Sequence, residues 1–310
     1  VPWSWGPTID CARGLREHLG VKDLDDFLSP HMLYLTAAAP GHAEAGAGRF
    51  RDIYGVVWDR TVDKDIGTPC DWPICRPEDL DGYVWPDADD DAWYAHLEAA
   101  IAARPDRFRV YGIGFSLYER AWTMRGMSEL LMDMVERPEF VERLLDAIVE
   151  HNLVQIRRAL AFDLDAMHFG DDYGMQSGLI MGVEHWRHFV KPRLARMFEP
   201  VREAGLCVSM HSCGAVSELF DDLVEIGLNL FNPFQPEVMD VFDLRARYRG
   251  RLAFHGGMSV QKTLPFGTTD DVRQATRRLI DAGAEGGLVF SPSHEVPRDV
   301  PPENLVAMMD

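Results

Sequence analysis

The chain has 310 residues, with 50 Asp and Glu against 31 Lys and Arg, and a net charge of -19. That acidity argues against general binding to nucleic acids or anionic membranes, which are polyanions, unless a local basic patch intervenes. With 46% hydrophobic and 26% charged residues, the chain is not disordered, and its length suits one large α/β barrel or two ordinary domains.

In chain order, residues 1–5 and 32–36 are the first two strand candidates. Residues 50–86, rich in Asp, Gly, Pro and Trp, read as an insertion after the second strand. The acidic run 87–91, just before Trp93, starts a helix, where carboxylates suit the helix dipole. A third strand is predicted at 108–114. Phe140, Val141, Leu144, Leu145, Ile148 and Ile156 then form one helical face. The fourth strand is 165–169. Trp186, Phe189, Val190, Leu194, Met197 and Phe198 make a second apolar helical face. Strands at 206–210, 228–231 and 252–254 follow. Thr269, with Asp270 and Asp271, begins a helix carrying Val272, Ala275, Leu279 and Ile280. The eighth strand is 287–290. Short apolar strands separated by helices predict buried parallel pairing. Eight of them in unbroken alternation predict a single (β/α)8 barrel domain over 1–310, with a doubly wound open sheet as the alternative.

A barrel carries its chemistry where the strands end and the βα loops begin. Five such ends are polar: Gly170-Asp-Asp-Tyr-Gly-Met-Gln176, His211-Ser-Cys-Gly214, Asn232-Pro-Phe-Gln-Pro236, His255-Gly-Gly257 and Ser291-Pro-Ser-His-Glu295. His211 and Cys213 offer an imidazole and a thiolate, the preferred zinc donors, at a spacing that aims both at one point. A catalytic zinc takes three protein ligands, and His255, His294 and Asp171 are candidates for the third. A Cys–His nucleophile pair is the rival reading. Of the adjacent Asp171 and Asp172, one can bind substrate or metal while the other caps the next helix. Gln235, if buried, must hydrogen-bond a partner. His168 reads as a satisfied core histidine, Cys207 as core packing, and His185 and His188 as surface residues. Gly112-Ile-Gly114 lacks the third glycine of a dinucleotide fingerprint. Tyr111, Phe115 and Tyr118, with Trp3 and Trp5, are candidates to line a ring-binding pocket.

These motifs together resemble the uroporphyrinogen decarboxylase superfamily. More narrowly, they resemble its branch of corrinoid-dependent methyltransferases and O-demethylases. The resemblance extends to Arg51-Asp-Ile-Tyr-Gly-Val-Val-Trp58, Gly67-Thr-Pro69, Tyr83-Val-Trp-Pro86 and Pro301-Pro-Glu-Asn-Leu305. It implies a (β/α)8 barrel, a helix before Val1 and further helix after Asp310. True uroporphyrinogen decarboxylases use no metal and grip their substrate with an Arg-rich N-terminal segment. Here no arginine precedes Arg13. Relatives that pass methyl groups between a corrinoid protein and coenzyme M bind zinc through His-x-Cys and a later Cys. His211 and Cys213 match the first two, and His294 stands at the later position.

The resemblance therefore implies a zinc-dependent methyltransferase with His211, Cys213 and His294 as ligands. A corrinoid arrives on a partner protein, since no corrinoid-binding domain is recognisable. Asp171, Asp172, His255 and Gln235 are the expected catalytic residues. Trp5, Tyr111, Phe115, Tyr118 and Gln176 are expected around a methoxylated, small-molecule methyl donor. A metal-free decarboxylase is the alternative. Five cysteines, an odd number, together with no visible signal peptide and no ~20-residue apolar span, predict a cytoplasmic protein without a disulfide framework. Monomer and homodimer both remain open.

Overall fold

The computed structural model describes residues 1–41 and 43–310. Its centre is a parallel sheet of seven strands. They are β1 (Met32–Leu35), β2 (Phe108–Ile113), β3 (Ala166–Gly170), β4 (Cys207–His211), β5 (Leu230–Phe234), β6 (Ala253–Met258) and β7 (Leu288–Pro292). Their order in the sheet is their order in the chain, so the sheet winds in one direction. That order excludes the doubly wound alternative, whose sheet would reverse at a switch point.

The expected first strand is reduced to a bridge. Phe290 N donates to Pro2 O at 2.8 Å and Ser4 N to Phe290 O at 3.0 Å. On the other side, His31 N donates to Trp3 O at 2.9 Å. Residues 2–4 thus join β7 to the start of β1, curling the sheet toward closure. Pro2 and Pro7 lack amide protons, which leaves too few donors for a longer ladder.

Helices cover the outer face of the sheet. The helix Pro138–Ala159 buries Phe140, Val141, Leu144, Leu145 and Ile148. Lys191–Glu203, preceded by a π-helical turn at Trp186–Val190, buries Leu194, Met197 and Phe198. Thr269–Gly283 begins one residue earlier in its capping than expected. Thr268, not Thr269, accepts from Asp271 N, while Asp271 accepts from Thr268 N in return. The reciprocal pair needs a three-residue spacing, which only Thr268 supplies. No described helix is long and apolar enough to cross a membrane.

Between β1 and β2 lies a separate four-stranded antiparallel sheet: Ala43–Glu44, Arg49–Arg51, Val57–Asp59 and Thr68–Asp71. Asp52 ties it to the barrel. Its Oδ1 accepts from Tyr54 N and Val56 N, both at 2.9 Å, and its Oδ2 from Trp58 Nε1 at 3.0 Å. Arg120 Nη1 approaches the same oxygen at 3.4 Å.

Candidate metal centre

The site is built from side chains that alternate along the barrel strands. In β4, Ser209 and His211 point the same way, and the chain then turns through 212–214. That turn is clamped from two sides. Ser212 N donates to Asn232 O at 2.7 Å, and the Ser212 hydroxyl accepts from Tyr173 N at 2.9 Å. Ala215 N donates to Met175 O at 2.8 Å. Gly214 has φ +86°, and a Cβ there would stand 2.4 Å from the carbonyl carbon of Gly174. The two loops therefore touch backbone to backbone, which only glycine permits.

Within this frame Cys213 Sγ lies 3.3 Å from His211 Nε2. The His294 ring, delivered by the loop after β7, is centred 5.5 Å from the His211 ring. Donor atoms of His211, Cys213 and His294 all lie within 4.8 Å of one another. Zinc bonds of about 2.0–2.3 Å put ligand atoms under 4 Å apart, so a small closing motion of His294 suffices.

The tautomer of the His211 ring follows from its neighbours. Asn232 Nδ2 donates to His255 O at 3.1 Å, so the amide oxygen of Asn232 must face His211 Nδ1, 2.6 Å away. That oxygen can only accept, which places the imidazole proton on Nδ1. Nε2 is left with a lone pair directed at Cys213 and His294, as metal ligation requires. The sequence named Asn232 only as part of a turn before proline, so this orienting role was missed.

Carboxyl groups surround the thiol. Asp172 Oδ1 accepts from Cys213 N at 2.7 Å and lies 3.6 Å from His211 Nε2. Burial, and then the Asp172 charge, push the Cys213 thiol well above its ordinary pKa. Glu119 is pushed up to about 9 by burial and by Asp172 and Asp171. Glu119 was not among the expected residues, because a glutamate in a helix's first turn looks like an ordinary dipole partner. Burial also holds His294 below the usual histidine range, although its side chain reaches solvent, with His211 adding to the effect. Two imidazoles and a thiol beside carboxyl groups form a donor set suited to zinc.

The two aspartates divide their work. Asp171 is fully buried and starts the helix Tyr118–Arg125, accepting from Tyr118 N at 2.8 Å and Glu119 N at 2.6 Å. The Tyr173 hydroxyl donates to it at 2.6 Å. Burial pushes Asp171 up to about 7 against the pull of these donors. Asp171→Asn keeps the shape but turns one acceptor into a donor facing amides. We expect it to cost about 1–2 kcal/mol of stability in urea melts while metal content stays unchanged.

Gln176, Cys213, Gln235 and His294 line one cleft of about 480 Å³. Gln235 is buried and accepts from Gly214 N at 3.3 Å. No lysine or arginine is among the described residues lining this cleft. Phe115 stands half-buried at φ +50°, edge-on to Trp58 at 5.3 Å. Trp5 is half-buried against the hydrophobic core. Tyr111 and Tyr118 do not join the cleft: both are fully buried in the core. Val110 packs with the inward apolar cluster, so Tyr111, one residue on, points to the helices. Tyr118 belongs to the buried face of its own helix.

A family model described as Uroporphyrinogen decarboxylase (URO-D) matches residues 61–310. A curated protein from Syntrophotalea carbinolica, "Uroporphyrinogen decarboxylase", is 26% identical over 182 residues, covering 57% of this chain and 49% of that protein. The chain thus spans about half the length of this relative. A solved structure, "methyltransferase from Methanosarcina mazei", superposes with a TM-score of 0.72 at 17% identity, covering 99% of this chain and 92% of that one. At that identity the likeness is one of fold.

Proposed function

The chain belongs to the uroporphyrinogen decarboxylase family, and within it we propose a zinc-dependent methyltransferase. It would move a methyl group from a methoxylated substrate, aromatic ones included, to a corrinoid carried by a partner protein. The observation that carries this reading is the convergence of His211, Cys213 and His294, with His211 Nε2 freed by Asn232. Zinc held there would supply Lewis acidity toward an ether oxygen.

The chain's own residues do the rest. The methyl–oxygen bond would break with its electron pair left on the oxygen, the methyl group would pass to the electron pair of a reduced corrinoid on the partner protein, and the leaving oxygen would take up a proton. The Glu119 carboxyl, pushed up to about 9, is the proton reservoir near the thiol, while Asp172 holds the Cys213 amide. Gln235, Gln176 and His255 orient the substrate, and Phe115 offers a ring face for it. We read the antiparallel sheet at 43–71 as an insertion after the second barrel strand, with residues 2–4 in the place of the first. The same reading makes the protein cytoplasmic, where the corrinoid protein meets it. The decarboxylase alternative is disfavoured because the described residues lining the cleft offer no cation to a polycarboxylate.

Elemental analysis is expected to find about one zinc per chain. Demethylation of methoxyarenes should require reduced corrinoid and should stop after chelation. Demethylation by the isolated protein without corrinoid, or full activity after zinc removal, would overturn the reading.

A further inference from the structure

We propose that the substrate is uncharged and that its second oxygen enters the barrel lumen beneath the candidate metal centre. This rests on the methyltransferase reading for what the substrate does, but not for how it binds.

The lumen is layered. At its base Met32, Val110, Ala166 and Leu230 pack into an apolar cluster of their own, distinct from the main core. Two residues further along the same and neighbouring strands stand Tyr34, Gly112, His168, Ser209, Asn232 and His255. Side chains two apart in a strand share a face, so this second layer also points inward. A barrel interior is ordinarily filled at this level by Val, Ile and Leu. Here every side chain is polar, and Gly112 contributes none.

These groups reach one another across the lumen. The Tyr34 hydroxyl is 3.4 Å from His255 Nδ1. His168 Nδ1 is 2.8 Å from the Ser209 hydroxyl. The His168 ring is centred 6.0 Å from Tyr34 and 6.4 Å from His211. The layer is not filled. Tyr34, hydrogen-bonded to the far side of the barrel, is nevertheless 44% exposed, so open space adjoins its ring. Nε2 of His168 and Nε2 of His255 make no hydrogen bond among the described residues. His255 is buried at 5% exposure as a residue, yet its Nε2 is not among the buried unpartnered polar atoms, so this nitrogen opens on the space beside Tyr34, where a ligand or water can meet it.

The chemistry of the layer selects the guest. Phenol, imidazole and hydroxyl groups donate and accept hydrogen bonds without a formal charge. No lysine, arginine or carboxylate belongs to the layer, so an ion placed there would be buried without a counter-ion. An oxygenated ring is the fitting class. One ether oxygen would face His211, Cys213 and His294, and a neighbouring hydroxyl or ether would face His168, Tyr34 and His255.

Titration calorimetry tests this with two probes that differ by one group, 2-methoxyphenol and 4-hydroxy-3-methoxybenzoate, with no corrinoid and no turnover. The phenol should bind, and the carboxylate-bearing ring should bind at least about tenfold more weakly. Tyr34→Phe and His168→Phe should each weaken 2-methoxyphenol by about 5- to 100-fold, with zinc content unchanged. His168→Asn, which keeps a polar group, should fall between them and the unsubstituted protein. Circular dichroism melts confirm that each variant folds, with Tyr34→Phe as the mildest change. Equal or tighter binding of the benzoate, unaltered binding by the variants, or no binding of either probe overturns the proposal. Because the readout is binding, these outcomes are independent of whether methyl transfer occurs.

Discussion

Cys213→Ser is expected to strip the metal from the protein while leaving its fold intact. Three protein donors are the minimum for a catalytic zinc, and a serine hydroxyl is a far poorer ligand than a thiolate. Removing an orienting neighbour of a ligand typically costs 10–100-fold in metal affinity. Loss of the thiolate should exceed that, whereas Asn232→Ala should fall within it, because Asn232 acts on the metal centre through the His211 ring that it orients. The backbone around position 213 is held by Asp172, Ser212 and Gly214, and none of those contacts uses the sulfur. Competition with a chromogenic chelator measures each affinity. His294→Ala and His255→Ala complete the set. If His255→Ala loses the zinc and His294→Ala keeps it, the third ligand has been misassigned.

His151→Gln should matter progressively less to stability as the pH falls. His151 is buried against the Tyr54 hydroxyl at 3.0 Å, and burial, then the Arg120 charge, hold it down to about 4. An unfolded chain's histidine titrates near 6.5. Between those values the unfolded state binds a proton that the native state refuses. Stability from this residue is therefore present above pH 6.5 and lost as the pH drops toward 4. At about 1.4 kcal/mol per pH unit the loss amounts to about 3 kcal/mol. The glutamine variant has no such proton to gain, so the stability gap between the two proteins should close by about that amount from pH 7 to pH 4. Urea titrations at four pH values would measure it, and a constant gap would refute it. The comparison has to be made between variants. His168 and His255, held down to about 3 and about 4, add to the acid loss. Asp171 and Glu119, pushed upward by burial, oppose it in the same window.

Most of the barrel was legible because parallel strands are buried on both faces and leave continuous apolar runs between helices. Seven of the eight expected strands lie within a few residues of their predicted places. At residues 1–5 the expected strand shrinks to a bridge, because Pro2 removes an amide the ladder needs. The His211, Cys213 and His294 trio was legible through donor chemistry and family resemblance together. Spacing alone left the third ligand open. Tyr111 was misplaced for want of a parity argument: Val110 belongs inside, so its neighbour cannot. The polar lumen was hidden for the opposite reason. His168 and Tyr34 each look like one odd residue in an apolar strand, and only the curled sheet stacks them into a layer. Glu119 and Asn232 carried no signal above that of a helix start and a turn.

Loop grafting at this barrel's mouth would have to respect a contact between two glycines. A methyl group on Gly214 would strike the main chain of Gly174, and one on Gly174 would strike the carbonyl oxygen of Cys213 and the amide of Ala215. The loops after β3 and β4 therefore behave as one casting. A longer, shorter or bulkier version of either would displace its neighbour and, with it, Cys213. Changing one alone should damage metal retention before it alters substrate choice. New specificities are better sought in segments outside that seam, such as the antiparallel sheet at 43–71, which can vary without moving the thiol.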